Sequence, residues 1–147
     1  MTRIEIELHS AEDSDLEALL GDRLYEFNVE ATGFTDGEVL FCSSRDKDGA
    51  IVAGLSGHTW GGTCEIKQVW VHEKLRGQGV GSELMRCAEA EAIRRKCTQI
   101  VLTTHSFQAT EFYEKLGFKE LAIVPEYPKG YKNVLYIKQL QFRNDDD

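Results

Sequence analysis

The stretch Val69-Trp-Val-His-Glu-Lys-Leu-Arg-Gly-Gln-Gly-Val-Gly81 joins an alternating strand pattern to a basic turn and closely spaced glycines, directly before a helical pattern. Glycine adopts backbone conformations that other residues rarely adopt, so main-chain N–H groups in such a turn can approach an anion. The positive end of the following helix dipole and the guanidinium of Arg76 add positive charge. The stretch is therefore typical of a turn that binds phosphate.

Two common phosphate-binding loops do not fit this turn. A P-loop has Lys followed by Ser or Thr after its last glycine, whereas Gly81 is followed directly by Ser82. The dinucleotide fingerprint is G-x-G-x-x-G directly after a buried strand, whereas these glycines have the spacing G-x-G-x-G and follow a charged run. A tight turn without a ligand is the plain structural alternative.

A second informative stretch, Ser106-Phe-Gln-Ala-Thr-Glu-Phe-Tyr-Glu-Lys-Leu-Gly-Phe118, lies downstream by about the length of one helix and one strand. Its apolar and aromatic residues recur at the helical spacing i, i+3, i+4 and i+7: Ala109, Phe112, Tyr113 and Leu116. Gly117 is placed to end this helix in a left-handed conformation. The pattern predicts a short helix with one buried face.

Both stretches resemble signature segments of the GNAT N-acetyltransferase superfamily. The first resembles R/Q-x-x-G-x-G/A at Arg76, Gly79 and Gly81, and the second resembles N-x-x-A-x-x-F-Y-x-x-L-G-F with Ser106 in place of Asn. The resemblance implies an α/β (α+β) fold: a GNAT-like mixed, mainly antiparallel central sheet flanked by helices. It implies a single N-acetyltransferase domain over residues 1–147, in which 142–147 form a disordered acidic tail.

The resemblance implies acetyl-CoA as the cofactor. Backbone groups around Val69 and Val71 would pair with the pantetheine arm like an added strand and polarise the acetyl carbonyl. Ser caps helices as well as Asn does, so Ser106 is expected to begin the second helix. The cofactor-binding residues implied in this way are Val69, Trp70, Val71, Arg76, Gly77, Gln78, Gly79, Val80, Gly81, Ser82, Ser106, Ala109 and Tyr113.

Acetyl transfer from a thioester to an amine needs a neutral amine, a polarised carbonyl and a proton for the departing thiolate. Tyr113 is predicted to be the general acid, because a phenol of pKa about 10 suits a thiol of about 8.5. Glu65 lies where members of this family often place a carboxylate, and it is the predicted base. His72 and His105 are the alternative bases.

Strand alternation determines which neighbours share a face with Glu65. It places Glu65 with Lys67, Val69 and Val71, and it places Ile66, Gln68 and Trp70 on the other face, unless a bulge switches the phase. A solvent-exposed strand carboxylate is the alternative for Glu65. Aromatic residues and a histidine are predicted to line the acceptor site, where rings bind an ammonium by cation–π contact: Phe34, Trp60, His105, Tyr127 and Tyr131.

Composition narrows the partners of this 147-residue chain. A net charge of −8 argues against nucleic acid, which needs a basic surface, and is easier to reconcile with a cationic substrate. No apolar run approaches the roughly 20 residues that span a bilayer, and the charged N-terminus has no secretory pattern, so a cytoplasmic location is expected. Four cysteines without C-x-x-C spacing and in apolar contexts are expected to be reduced, buried thiols and not metal ligands.

The rest of the chain shows alternating strand and helix patterns. Ile4, Ile6 and Leu8 alternate with polar residues and predict a first strand, after which Ser10 with Asp13 resembles a helix cap. The further elements predicted are helix 11–27, strands 39–44, 50–60 and 63–71 in an antiparallel meander, helix 79–96, strand 99–103, a helix at Ala109, and strands 118–124 and 133–142.

These patterns predict an N-acetyltransferase that moves an acetyl group from acetyl-CoA to a primary amine by direct attack in a ternary complex. A cationic small molecule is the predicted acceptor. The alternatives are a non-catalytic CoA-binding or sensor module and a protein or peptide N-acetyltransferase. The sequence leaves the identity of the acceptor open, and it is compatible with a homodimer.

Overall fold

The computed structural model describes residues 3–140, and by its contacts the chain divides after Phe34 into two compact units. None of the helices in this described part is long and apolar enough to cross a membrane. The first unit contains α1 (Ser14–Thr32). The second contains β1 (Glu38–Arg45), β2 (Ile51–Trp60), β3 (Thr63–Val71), α2 (Val80–Arg94), β4 (Gln99–His105), α3 (Thr110–Lys115), β5 (Lys119–Pro125) and β6 (Lys132–Gln139).

The helix of the first unit has a cap at each end. The Asp13 side chain accepts a hydrogen bond from the N–H of Leu16 at 2.9 Å, so Asp13 and not the expected Ser10 is the N-cap. Gly33 ends the helix in a left-handed conformation, with φ of 79°. The helix runs five residues past the predicted end at 27, and none of its residues is buried.

The first strand predicted at Ile4, Ile6 and Leu8 is absent from the structure. Residues 3–10 form neither strand nor helix, and these three side chains are 83%, 90% and 98% exposed. Alternation of apolar and polar residues shows only that a segment suits a half-buried strand. A strand exists through hydrogen bonds to a neighbouring strand, which alternation does not supply.

The second unit is built on a six-stranded sheet with the order β1-β2-β3-β4-β6-β5. The predicted antiparallel meander β1-β2-β3 is confirmed, and β3–β4 is the parallel pair of this sheet. The hairpin turn forms because the Asp46 carboxylate accepts the N–H groups of Asp48 and Ala50 at 2.9 and 3.0 Å. The predicted acidic tail at 142–147 lies outside the described residues.

The core of the second unit lies between the sheet and α2. This helix presents its buried side chains to β1, β2 and β3: Leu84, Met85, Ala88 and Ala92. The facing strands contribute buried residues at alternate positions, among them Leu40, Ala53, Leu55, Ile66, Ile100 and Leu102. A mixed, mainly antiparallel sheet with helices confirms the predicted fold class, while a single domain over all 147 residues stays a prediction.

A bulge in β3 switches the faces of its side chains. Ser56 of β2 pairs with Gln68, but Gly57 pairs with Ile66, so Lys67 has no partner in this ladder. After the bulge, Val69 and Val71 pack against the same core as Ile66. Glu65, Gln68 and Trp70 therefore lie on the exposed face. The simple alternation that grouped Glu65 with Val69 and Val71 is wrong, and the bulge is the reason.

Gly57 is required by the bulge, and this can be tested. A Cβ at Gly57 would lie 2.6 Å from the carbonyl oxygen of Glu65, a backbone atom that cannot rotate away. We expect Gly57→Ala to lower the free energy of unfolding by about 1–3 kcal/mol, as overpacking does. The matched control is Gly54→Ala in the same strand, where the nearest atom would be 3.6 Å away. Equal denaturant midpoints for the two variants would contradict this role.

Candidate active site

A cavity of about 750 Å³ opens in the second unit where β3 and β4 separate. The two strands pair in parallel only from Thr63 with Gln99 to Ile66 with Leu102, although both continue beyond that point. Four of the predicted site residues line the cavity: Val69, Trp70, Ala109 and Tyr113. Polar residues that the sequence analysis did not single out also line it, among them Ser43, Ser56, Lys67, Gln68, Thr103, Thr104 and Gln108.

The separation of the strands leaves one edge of β3 open beside the cavity. From Gln68 to Val71, β3 pairs with β2 along its other edge. On the cavity side, the register with β4 ends at Ile66, so in the described residues no strand pairs with this part of β3. Backbone N–H and C=O groups of an unpaired edge can accept an extended ligand as an added strand.

Tyr113 is held in place by other aromatic rings. Its ring centroid lies 5.0 Å from that of Phe112, 5.8 Å from Phe118 and 6.4 Å from Tyr136. The residue is 7% exposed, and burial raises the pKa of its hydroxyl above the ordinary value for a tyrosine. The phenol therefore keeps its proton at neutral pH and can donate it within the cavity.

Glu65 lines a second, smaller cavity of about 360 Å³ between β3 and β4. Both cavities are lined by Ile66, Lys67, Leu102 and Thr103, so they adjoin at the point where the strands separate. Glu65 is exposed and pairs across the sheet with His58 of β2. The structure thus brings the predicted acid and the predicted base to adjoining cavities at one gap in the sheet.

The glycine turn leaves backbone N–H groups at the start of α2 that can bind an anion. Gly77 and Gly79 have φ of 76° and 82°, which side chains disfavour, and Gly79 is the N-cap without a side-chain hydrogen bond. The N–H groups of residues 80–82 have no acceptor within the helix. Arg76 donates its Nε hydrogen to the carbonyl of Val71 at 3.2 Å, which holds the guanidinium beside the end of β3.

Gly81 has a packing contact in addition to its expected place in the phosphate turn, which stays a prediction. The sequence suggests that Gly81 lacks a side chain so that phosphate can approach the backbone. In the structure, a Cβ at this position would lie 3.2 Å from Cζ and 3.4 Å from Cε2 of Phe112, and 3.9 Å from Cγ2 of Val71. Gly81 therefore allows α2 to pack closely against the side chain of Phe112 in α3.

Ser106 does not cap α3, contrary to expectation. The N-cap is Ala109, which makes no side-chain cap, because Ser106 lies three residues too early. Ser106 instead accepts the N–H of Lys132 on its Oγ at 3.0 Å and so connects the end of β4 to the start of β6.

Gln108 holds the end of β4 from the turn before α3. Its side-chain oxygen accepts the N–H of His105 at 2.8 Å and the hydroxyl of Thr104 at 3.2 Å.

Four aromatic rings from the end of β4, the segment after it and the connection between β5 and β6 contact one another. We call them the aromatic cluster: His105, Phe107, Tyr127 and Tyr131. His105 stacks on Phe107 with centroids 5.3 Å apart and meets Tyr127 edge-on at 5.1 Å, while Phe107 meets Tyr131 at 5.0 Å. The carbonyl of Tyr127 lies 2.9 Å from Nδ1 of His105 and can only accept, so Nδ1 carries a hydrogen. Sequence reasoning missed Phe107, whose position between Ser106 and Gln108 carries no periodic signal.

Three predicted residues lie elsewhere. Trp60 ends β2 opposite Thr63, and Phe34 ends the first unit; neither lines the two cavities. His72 accepts the N–H of Lys74 on Nδ1 at 3.1 Å and caps a short 3-10 turn, which occupies that nitrogen. The other alternative base, His105, also lines neither cavity, but its backbone N–H donates to Gln108, which lines the larger one.

The chain is similar to known acetyltransferases. The profile of the family described as "Acetyltransferase (GNAT) family" matches residues 4–118. An acetyltransferase of Agrobacterium fabrum (strain C58) is 32% identical over 84% of this chain and 90% of its own length. The blasticidin-S acetyltransferase of Streptomyces morookaense is 36% identical over 67% of this chain and 71% of its own length.

The fold is also similar to that of a solved structure. A crystal structure of an Agrobacterium tumefaciens protein superposes with a TM-score of 0.85 at 28% identity. The match covers 93% of this chain and all of that chain. These likenesses confirm the resemblance that was stated from the glycine turn and the second stretch.

The contact between Gly81 and Phe112 generates a prediction about stability. We expect Gly81→Ala to lower the free energy of unfolding by about 1–3 kcal/mol, because the new methyl group meets the Phe112 ring. In a double-mutant cycle with Phe112→Leu, which removes that part of the ring, the cost of Gly81→Ala should largely disappear. Additive effects of the two substitutions in urea unfolding would contradict the contact.

Proposed function

Because the chain belongs to the GNAT acetyltransferase family, we propose that it is an N-acetyltransferase that moves the acetyl group of acetyl-CoA to a primary amine. One observation carries the proposal. The open edge of β3 ends at a phosphate-type glycine turn and runs beside a buried, protonated tyrosine. This arrangement offers a separate contact to each part of acetyl-CoA: the pyrophosphate, the extended pantetheine arm and the thioester.

The cofactor would bind along β3 and the start of α2. The N–H groups of residues 80–82 and the guanidinium of Arg76 would hold the pyrophosphate. The pantetheine amides would pair with the open edge of β3 near Val69 as an added strand. The acetyl group would then lie in the larger cavity, which Tyr113 lines.

The proposed chemistry is direct attack of the amine nitrogen on the thioester carbonyl. The bond between nitrogen and carbonyl carbon forms, and the bond between carbon and sulfur breaks. Tyr113 donates its proton to the departing thiolate, and Glu65 takes the proton of the attacking amine, directly or through a water. Both groups return to their starting states by exchange with solvent.

A cationic acceptor follows from charge and from the aromatic cluster. The chain carries a net charge of −8, so a cationic amine is attracted and an anionic one is repelled. The aromatic cluster is connected to the larger cavity through Gln108, which lines the cavity with Thr104. The side-chain oxygen of Gln108 accepts from the hydroxyl of Thr104 and from the backbone N–H of His105. Its exposed ring faces at Phe107 and Tyr131 can contact an ammonium by cation–π interaction.

A small molecule is the proposed acceptor class. The relative named for blasticidin-S is an acetyltransferase for a small molecule, and it shares 36% identity over 67% of this chain. This supports a small amine over a protein or peptide acceptor. A non-catalytic CoA-binding module is the rival from another class, and the proton donor and carboxylate at one gap argue against it. The cytoplasmic location and the homodimer stay predictions.

Tyr113→Phe is the sharpest test of the proposed acid. It keeps the ring packing and removes the proton, so kcat should fall about 100-fold with little change in the melting temperature. Because the acid works in its protonated form and its pKa is raised, activity should persist through neutral pH and fall only above the ordinary tyrosine range. The alkaline limb should vanish in the variant.

The matched control for this substitution is Tyr136→Phe. Tyr136 is also buried and also lies against Tyr113, but its hydroxyl donates to Glu114 at 3.0 Å and it does not line the cavities. Its turnover should stay near that of the wild type. If Tyr113→Phe is as active as Tyr136→Phe, then Tyr113 is a packing residue only.

The acceptor preference can be measured by thiol release from acetyl-CoA over a panel of amines. We expect cationic primary amines to have higher kcat/KM than neutral or anionic amines of similar size. Added salt should lower that kcat/KM, because exposed charges are screened beyond about 8 Å at physiological ionic strength. Tyr131→Leu should raise KM for cationic amines about 2- to 5-fold, whereas Tyr131→Phe, which keeps the ring, should not.

Each result that differs from these expectations leads to a different conclusion. Anionic amines as the best substrates, or kcat/KM independent of salt, would reject the cationic acceptor and leave acetyl transfer standing. If no amine releases thiol while calorimetry detects binding of CoA, the protein is the non-catalytic module. Acetylation of peptides with higher kcat/KM than of any small amine would favour the peptide acceptor.

A further inference from the structure

Two thiols to which the proposed acetyl transfer assigns no step touch each other. Sγ of Cys42 in β1 and Sγ of Cys87 in α2 lie 2.8 Å apart, and both cysteines are free. A disulfide needs a sulfur–sulfur distance of about 2.05 Å, so the two atoms would have to approach by less than ~1 Å.

The two thiols differ in their access to solvent. Cys87 is exposed on α2, contrary to the expected burial, because its position on the helix faces away from the core. Cys42 is only 9% exposed, although it is among the residues that line the larger cavity. Burial raises the pKa of Cys42 to about 12, so this thiol keeps its proton at neutral pH and does not react with solutes first. A dissolved oxidant therefore meets Cys87 first, and Cys42 lies beside it as the second thiol.

The other two cysteines provide an internal contrast. Cys64 and Cys97 are 0% and 1% exposed, so a dissolved oxidant does not reach them in the folded protein. Neither has a thiol contact of the kind that joins Cys42 to Cys87 among the hydrogen bonds of residues 3–140. They are the matched controls for any reaction at the exposed pair.

We propose that Cys42 and Cys87 form a redox modification site, at which a hydroperoxide closes a disulfide between β1 and α2. The Cys87 thiol loses its proton, and its thiolate attacks a peroxide oxygen. The S–O bond of a sulfenic acid forms, the O–O bond breaks, and with hydrogen peroxide the departing hydroxide takes up that proton as water. The sulfur of Cys42 then attacks the sulfenic sulfur while its proton passes to the sulfenic hydroxyl. The S–S bond forms, the S–O bond breaks, and water leaves. The two thiols lose two electrons in total, and one peroxide becomes two waters.

The cross-link would join parts of the chain that are far apart in sequence. It connects positions 45 residues apart, so it constrains a long loop of the unfolded chain and should stabilise the folded protein. It also fixes α2, which begins at the glycine turn, to β1, whose Phe41 and Ser43 line the larger cavity. The modification is independent of the identity of the amine acceptor.

The experiment counts thiols in the full chain. The folded protein is treated with hydrogen peroxide, unfolded, alkylated with N-ethylmaleimide and measured by mass spectrometry. We expect two alkylated cysteines where the untreated protein has four, together with a tryptic cross-link between the Cys42 and Cys87 peptides. Dithiothreitol should restore all four thiols, and the melting temperature should rise on oxidation and return on reduction.

Cysteine variants identify which two residues form the disulfide. Cys87→Ser should keep its three remaining thiols after peroxide and show no change in melting temperature, whereas Cys97→Ser should still form the cross-link. Because Cys87 is exposed, its substitution by Ser is tolerated by the fold. Four intact thiols after peroxide, oxygen atoms added to Cys87 without a cross-link, or a disulfide to another cysteine would each overturn the proposal.

Discussion

The candidate site depends on the early end of the pairing between β3 and β4. Beyond Ile66 and Leu102 the two strands separate, while each stays paired along its other edge: β3 with β2, and β4 with β6 as far as His105 opposite Asn133. The separation leaves backbone donors and acceptors of β3 without a strand partner, and such groups must pair with water or with a ligand. An open edge inside a sheet is thus a binding feature made by topology, and no single side chain creates it.

The bulge at Lys67 adapts β3 to this gap. Before the bulge, Cys64 and Ile66 face the core, and after it Val69 and Val71 do, while Glu65 and Gln68 face outward. Without the extra residue, strict alternation would turn Gln68 and Trp70 into the core and expose the two valines. The bulge therefore lets one strand cover the core along its whole length and still present polar groups at the gap.

The sequence predicted those features whose causes are local. The Asp46 turn and the helix stop at Gly117 depend on residues within a few positions, and both are present. The prediction failed where a distant partner decides. Residues 3–10 have an alternating pattern without strand structure, and Ser106 bonds Lys132 across the sheet. The contact of Gly81 with Phe112 is a further feature that the sequence pattern does not reveal. Those partners lie 26 and about 30 positions away from Ser106 and Gly81, so local spacing could not reveal them.

Two adjacent residues of α3 connect the ends of the proposed cofactor site. Phe112 packs on Gly81 in the first turn of α2, beside the amides proposed to hold pyrophosphate. Tyr113, the next residue, enters the cavity as the proposed proton donor. Neighbouring residues on a helix cannot move independently, so the distance from phosphate anchor to thioester is set by the contact of α3 with α2. A change at this contact would therefore disturb the phosphate turn and the proton donor together.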